Sequence, residues 1–178
     1  WQGFHDFIPT SEKIKHLKTL MHCGFHTIDA GSFVSPRAMP QMADAHELFS
    51  ALEESREKSQ TKLLSIVASE GGARRAAEFS HIDSWGYPFS VSEIFQERNS
   101  RKTIHNAIED LKRAKELALK SNVDLVVYLS MVFGNLYGED YHTDPVLERL
   151  EEALILSLIP LSEPTRRTPI SYAVFCLK

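Results

Sequence analysis

The chain of 178 residues is long enough for one hydrophobic core, and its hydrophobic fraction of 43% is ordinary for a globular protein. The net charge of -4 argues against a general nucleic-acid or membrane-surface binder. We find neither an apolar run of membrane-spanning length nor a charged-then-apolar leader, and we therefore expect a cytoplasmic protein. The two cysteines, Cys23 and Cys176, give no disulfide framework and favour a reducing compartment.

The predicted elements alternate between helix and strand. A first helix is capped by Thr10 or Ser11 and ends at Gly24, because apolar residues recur in it at helical spacing. The elements that follow are a strand from residue 27, a helix at 44–58, a strand at 63–68, a short helix from 71, a strand at 82–89, a helix at 103–120, a strand at 125–129, a helix at 145–154, a strand at 159–161 and a helix at 170–176.

This alternation implies an α/β fold with a parallel sheet and right-handed crossovers. No repeat, low-complexity tract or linker divides the sequence, so we expect a single domain over residues 1–178. The pattern alone does not separate an open doubly wound sheet from part of a barrel.

The stretch at 27–42 carries the strongest candidate site. Asp29 lies in a predicted strand, where an acid is costly unless it faces a site or a partner. Ser32 and then Arg37 follow it, a hydroxyl and a cation that suit an anionic ligand at a strand end. The alternative is structural, with Asp29 capping a helix or forming an ion pair and Arg37 a solvated charge.

Residues 31–37 read GSFVSPR and residues 40–44 read PQMAD, and this stretch resembles the signature of the hydroxymethylglutaryl-CoA lyases. The resemblance implies a (β/α)8 TIM barrel of the metal-dependent lyase type. Because such a barrel usually needs about 200–250 residues or more, the chain would supply a partial barrel, about strands 2 to 6 of the family.

Two later segments extend the resemblance. Residues 88–99 are similar to a family segment whose asparagine lies close to the substrate, which assigns that position to Asn99. Residues 128–138 are similar to a family run that would place Tyr128 in the barrel mouth near the substrate. Without the resemblance, Asn99 is a helix cap or turn residue and Tyr128 a buried tyrosine bonded to backbone.

The resemblance also implies the remaining site residues. Asp29 takes the place of an acid on the family's second strand, Ser32 that of a substrate-contacting serine, and Gln2 that of a substrate-binding glutamine. Glu163 stands where the family has an aspartate that positions substrate, so we assign catalytic roles to Asp29 and Glu163. Residues 161–166 depart furthest from the family pattern.

The family reaction is a retro-Claisen cleavage of 3-hydroxy-3-methylglutaryl-CoA to acetyl-CoA and acetoacetate, a step of leucine degradation and ketone-body metabolism. The resemblance implies a divalent cation, Mg²⁺ or Mn²⁺, an acyl-CoA substrate and a homodimer for the full-length protein. The family's metal ligands have no counterpart in these 178 residues. We assign no metal ligand here, and expect no nucleic-acid or membrane partner.

Two other hypotheses remain open. In the first, the chain is a catalytically inactive truncated remnant or binding module. In the second, it belongs to a related enzyme that condenses an acyl-CoA in a Claisen reaction. The signature at residues 31–37 favours the lyase over the condensing enzyme.

Overall fold

The computed structural model describes residues 1, 3–134, 137–139, 142–156 and 175–177, the last group and residues 153–156 by their backbone alone. These residues divide into two compact units, Trp1–Trp85 and Gly86–Lys178. Each unit is built from strands that alternate with helices, which confirms the α/β class predicted from the sequence.

The first unit holds two complete strands and the start of a third. Its elements are α1 (Thr10–Leu20), β1 (Thr27–Ser32), a 3₁₀ turn (Pro40–Met42), α2 (Ala45–Glu57), β2 (Lys62–Ile66), α3 (Glu70–Ala76) and the first residues of β3 (Ser84–Ser90). β1 and β2 are parallel and pair from Thr27 with Lys62 to Ser32 with Ile66. The main-chain N–H of Asp83 donates to the Leu63 carbonyl at 2.9 Å, which sets the start of β3 beside β2.

An aromatic cluster lies at the centre of this unit. The Phe33 ring, at the end of β1, stacks on Phe49 of α2 and on Phe79, with centroids 5.2 and 5.6 Å apart. All three are buried, and this unit has further fully buried apolar side chains: Leu48, Leu52, Leu63, Ile82 and Trp85. The apolar packing of this unit is therefore continuous with the end of β1, where the candidate site begins.

Asp83 fixes the start of β3 through three hydrogen bonds. Its carboxylate accepts two bonds from the Arg56 guanidinium, at 2.9 and 2.7 Å, and one from the Leu63 N–H at 2.8 Å. Burial by itself raises the pKa of Asp83, but these donors outweigh burial and hold the pKa below its ordinary value.

The start of α1 differs from the prediction. Pro9 occupies the capping position, and neither Thr10 nor Ser11 caps the helix. The Thr10 hydroxyl instead donates to a carboxylate oxygen of Asp44 at 2.7 Å, so it is engaged in a tertiary contact. Lys13, in the first turns of the same helix, is completely buried, which is rare for a lysine.

The second unit contains the rest of β3, α4 (Glu93–Ser100), α5 (Ile104–Ser121), β4 (Asp124–Ser130), α6 (Thr143–Leu156) and β5 (Phe175–Leu177). The helix predicted at 103–120 is confirmed as α5, whose buried residues Ile104, Ala107, Leu111, Ala114 and Ala118 form one apolar stripe. Thr103 caps α5 by accepting the Asn106 N–H at 3.2 Å.

The end of the chain corrects one prediction. Residues 175 and 176 were predicted as part of a helix, but they belong to β5, which pairs antiparallel with β4 from Leu129 with Phe175 to Val127 with Leu177. Pairing with β4 gives these backbone groups hydrogen-bond partners that local sequence preference does not reveal. The strand predicted at 159–161 lies outside the described residues. None of the helices in the described part of the chain has the length and apolar character that crossing a membrane requires.

Candidate functional site

A concave pocket lies at the carboxyl end of β1 in the first unit. Asp29 and Ser32 both line this cavity of about 440 Å³. Its other walls come from α1, from the loop before α2, from the end of β2 and from the start of the chain. The lining residues there include His16, Leu17, Leu20, Met42, Ile66, Trp1 and Gly3. The structure therefore brings the two candidate residues of β1 into one site.

An irregularity in β1 explains how these two side chains share a pocket. Positions 29 and 32 are three residues apart, and in a regular strand residues separated by an odd number point to opposite faces. Asp29 pairs with Leu64 and Gly31 pairs with Ser65, so one extra residue is inserted into β1 between them. The extra residue changes the alternation, and Asp29 and Ser32 reach the same cavity.

Asp29 has an unusual acidity in this pocket. The pocket walls remove much of the water from one side of its carboxyl group, and this loss of hydration raises the pKa of Asp29 to about 6. The Gly31 N–H favours the charged form but does not offset it. The side chain is also more than a third exposed, so water at the open side screens part of the effect.

This raised pKa predicts how stability depends on pH. Between the ordinary aspartate value of 3.8 and a pH of about 6, folded Asp29 keeps a proton that the unfolded chain has lost. Stability therefore falls as pH rises through this window. Asp29→Asn removes the fall, and we expect its Tm to exceed that of the wild-type protein at pH 7 but to match it near pH 3.5. Parallel Tm curves for the two proteins from pH 3.5 to 7 would contradict the raised pKa.

Ser32 is held rigidly beside Asp29. It is only 2% exposed, and its hydroxyl oxygen accepts the Val34 N–H at 3.3 Å. The next residue, Phe33, donates its N–H to Ile66 at 2.9 Å and accepts a 2.6 Å bond from Arg75 at its carbonyl. The hydrogen bonds of Ser32 and of the residue after it thus fix the turn that carries Ser32.

A buried ion pair supports the loop after β1. The Lys13 ammonium donates to both carboxylate oxygens of Asp44, at 3.0 and 2.9 Å, and to the main-chain carbonyl of Gln41. The side chain of Asp44 is 8% exposed and also accepts the Thr10 hydroxyl. Sequence patterns do not predict this group; its only signal is the PQMAD motif, which contains both Gln41 and Asp44.

Gln41 connects the same loop to the start of the chain. Its side-chain amide donates to the carbonyls of Phe4 and Asp6, at 3.2 and 2.5 Å, and its oxygen accepts the Ile8 N–H at 3.1 Å. All three partners are main-chain groups in a segment without helix or strand. A buried side chain therefore satisfies three main-chain groups within residues 4–8.

The other candidate residues are placed differently. Asn99 is exposed in the last turn of α4, and Tyr128 is half-buried in β4 opposite Cys176. Both belong to the second unit. Gln2 and Glu163 lie outside the described residues.

The helix that carries Asn99 is anchored at its start. Ser92 caps α4 by accepting the Phe95 N–H at 3.1 Å, and its hydroxyl donates to Glu139. The buried Gln96 accepts the Ser90 N–H at 2.9 Å, which ties α4 to the end of β3. This helix was not predicted, although a serine followed by glutamate is a helix-start signal.

The described residues contain no group of three or more histidine, cysteine, aspartate or glutamate side chains that could hold a metal ion. His22 and His26 are both exposed, and their ring nitrogens contact the Lys18 carbonyl and the Thr27 hydroxyl. The one acid in the pocket with a perturbed pKa, Asp29, does not by itself make a metal site.

No family model matches the chain. Among curated proteins, it is 31% identical over 148 residues to the hydroxymethylglutaryl-CoA lyase YngG of Bacillus subtilis, a match that covers 83% of this chain and 48% of that protein. The chicken mitochondrial hydroxymethylglutaryl-CoA lyase is 29% identical over 147 residues, covering 83% and 48%. The chain thus spans about half the length of the curated relatives it matches.

Solved structures give the same result. The HMG-CoA lyase of Bacillus subtilis superimposes with a TM-score of 0.82 at 28% identity and covers 90% of this chain and 53% of that one. An HMG-CoA lyase from Acinetobacter baumannii, in complex with coenzyme A and 3-methylmalate, gives a TM-score of 0.78 at 26% identity, with coverage of 87% and 49%. These neighbours confirm the fold class predicted from the resemblance, part of a (β/α)8 barrel. The chain is therefore a partial member of the hydroxymethylglutaryl-CoA lyase family.

Proposed function

We propose that these residues belong to a hydroxymethylglutaryl-CoA lyase that cleaves 3-hydroxy-3-methylglutaryl-CoA to acetyl-CoA and acetoacetate. The observation that carries the proposal is the pairing of Asp29 with Ser32 in one pocket at the carboxyl end of β1. The relatives named as lyases of this substrate support it, as does the relative solved with coenzyme A.

Asp29 supplies the proton chemistry in this proposal. A carboxyl group with a pKa of about 6 is ionised at neutral pH yet is a better proton acceptor than an ordinary aspartate. It takes the proton of the substrate's C3 hydroxyl as the bond between C2 and C3 breaks. The electron pair of the broken bond forms the thioester enolate, which is then protonated to acetyl-CoA. C3 becomes the ketone carbon of acetoacetate.

The other residues orient the substrate. Ser32, which lines the same cavity as Asp29, binds the acyl group. Gln2, Asn99 and Tyr128 complete the substrate contacts, and Glu163 has a second catalytic role; these four assignments rest on the resemblance. The 178 residues act as one partial-barrel domain of a homodimeric, cytoplasmic protein of leucine degradation and ketone-body metabolism.

The divalent cation is part of the proposal through the resemblance alone. When bound, Mg²⁺ or Mn²⁺ would polarise the oxygens of the substrate as a Lewis acid. The described residues do not offer a cluster of three ligands for this cation. We therefore assign the cation no ligand and no step of the reaction.

The test begins with the intact mass of the protein made by its native host. A mass above 20.2 kDa, the mass of these 178 residues, means that flanking sequence completes the protein, which is then assayed for acetoacetate release with Mg²⁺ or Mn²⁺. We expect Asp29→Asn to lower kcat/KM by about 100-fold or more, the usual worth of a general base. Ser32→Ala should mainly raise KM, and Ser50→Ala, on the exposed face of α2, should change neither.

Two results would reject the proposal. A native product of 20.2 kDa without turnover would establish the inactive remnant or binding module in its place. A larger product that condenses an acyl-CoA with a keto acid, and does not cleave the substrate, would establish the related Claisen enzyme.

A further inference from the structure

Lys13 is completely buried, yet it does not line the pocket around Asp29. It lies behind two pieces of the pocket wall, the start of the chain and the loop that carries Met42. We propose that Lys13, paired with Asp44, is a positioning residue that holds both pieces in place around the acyl-CoA site. The role in substrate binding rests on the proposed function, whereas the placement of the wall does not.

The loop side depends on three acceptors of the Lys13 ammonium. Two are the carboxylate oxygens of Asp44, at 3.0 and 2.9 Å, and the third is the main-chain carbonyl of Gln41. Met42, which lines the pocket, lies between these two residues in the chain. An ammonium has three protons to donate, and this arrangement uses all of them on one short loop.

The chain-start side depends on aromatic rings. The Lys13 nitrogen is 4.1 Å from the centroid of the Phe7 ring and 5.9 Å from the centroid of the Trp1 ring, within the range of cation–π attraction. Trp1 itself lines the pocket. The hydrogen bonds between the Gln41 side chain and the main chain of residues 4, 6 and 8 hold the same segment. Lys13 and Gln41 together therefore secure the start of the chain.

A role in packing alone does not require a lysine here. A buried ion pair contributes little net stability, because removing both charges from water offsets most of their attraction, and apolar residues of similar volume often serve as well. What an apolar residue lacks is the set of directed bonds and ring contacts that fixes the two wall segments. Stability and positioning can therefore be separated by experiment.

The experiment compares Lys13→Met and the double variant Lys13→Met/Asp44→Asn with the wild-type chain. The single variant leaves the Asp44 carboxylate buried without its partner and is expected to lose stability; the double variant removes that charge too and should regain most of it. Lys15→Met, on the exposed face of the same helix, is the matched control. The midpoints of urea denaturation identify the variants that are as stable as the wild type.

The first readout is quenching of tryptophan fluorescence by acrylamide. The 178 residues contain two tryptophans, and Trp85 is completely buried, so a change in the quenching of these two reports on Trp1. In the double variant we expect quenching to rise about twofold, because a segment that loses the contacts that order it becomes more accessible to acrylamide. Unchanged quenching in a double variant as stable as the wild type would overturn the proposal.

The second readout is the Kd for 3-hydroxy-3-methylglutaryl-CoA. We expect binding about tenfold weaker in the double variant, a typical cost of losing a preorganised wall, and no change in Lys15→Met. Equal affinity in the wild type and the double variant would overturn the role in the site. If the wild type itself does not bind, the proposed function fails, and quenching alone decides the positioning role.

Discussion

Phe49→Ala is expected to lower the free energy of unfolding by about 3–5 kcal/mol, the range for removing a buried aromatic side chain. Phe49 is 0% exposed, and its ring stacks on Phe33 and packs against Phe79, with centroids 5.2 and 6.0 Å away. Alanine would leave a cavity beneath the end of β1. Urea denaturation followed by circular dichroism measures the change.

The same substitution also tests how the site is supported. Phe33 directly follows Ser32, so the loss of its partner should loosen the turn and weaken ligand binding in the fraction that stays folded. Ser50→Ala changes the exposed neighbour of Phe49 and should leave stability within about 0.5 kcal/mol of the wild type. A loss below about 1 kcal/mol in Phe49→Ala would show that the cluster is not well packed.

Gly72→Ala is expected to destabilise the chain by about 1–3 kcal/mol, a typical cost of overpacking. A Cβ at this position would lie 2.9 Å from the carbonyl oxygen of Phe33, and a main-chain atom does not move aside as a flexible side chain does. The Phe33 carbonyl also accepts the bond from Arg75. Any shift that relieves the clash therefore weakens that bond and moves the turn that carries Ser32.

The adjacent glycine provides the control. A Cβ at Gly71 would meet its nearest neighbours, in Arg75 and Ser69, at 4.0 Å, so there is room for a methyl group. Because alanine favours a helix over glycine by up to about 1 kcal/mol, Gly71→Ala should be neutral or stabilising. If thermal denaturation shows the two variants to be equally stable, then the close approach of α3 to Phe33 is not the reason for a glycine at position 72.

Periodicity predicted the parts of the fold that depend on one segment at a time. α5 shows its apolar stripe in the sequence, and β2 appears as a short apolar run because its central residues are buried. β5 could not be found in this way, since its three residues depend on pairing with β4. Boundaries such as the start of α1 were missed where a tertiary contact, here from Thr10 to Asp44, replaced the local one.

The site was predictable in its residues but not in its geometry. Asp29 and Ser32 were identified from their chemistry and from the motif at residues 31–37. That they face one pocket depends on the extra residue in β1, which a sequence does not reveal. Lys13 was missed because a lysine is normally exposed, and only the three oxygens around it make its burial favourable.

The bonds made by Gln41 have a consequence for how the protein can vary. The Gln41 side chain forms hydrogen bonds with main-chain atoms of residues 4, 6 and 8, so the side chains at those three positions can be exchanged without loss of these bonds. Position 41 has no such freedom, because a glutamate there would present an oxygen to two carbonyls that need a donor. We therefore expect mutational tolerance to be high at positions 4, 6 and 8 and low at the single glutamine that bonds their main chain.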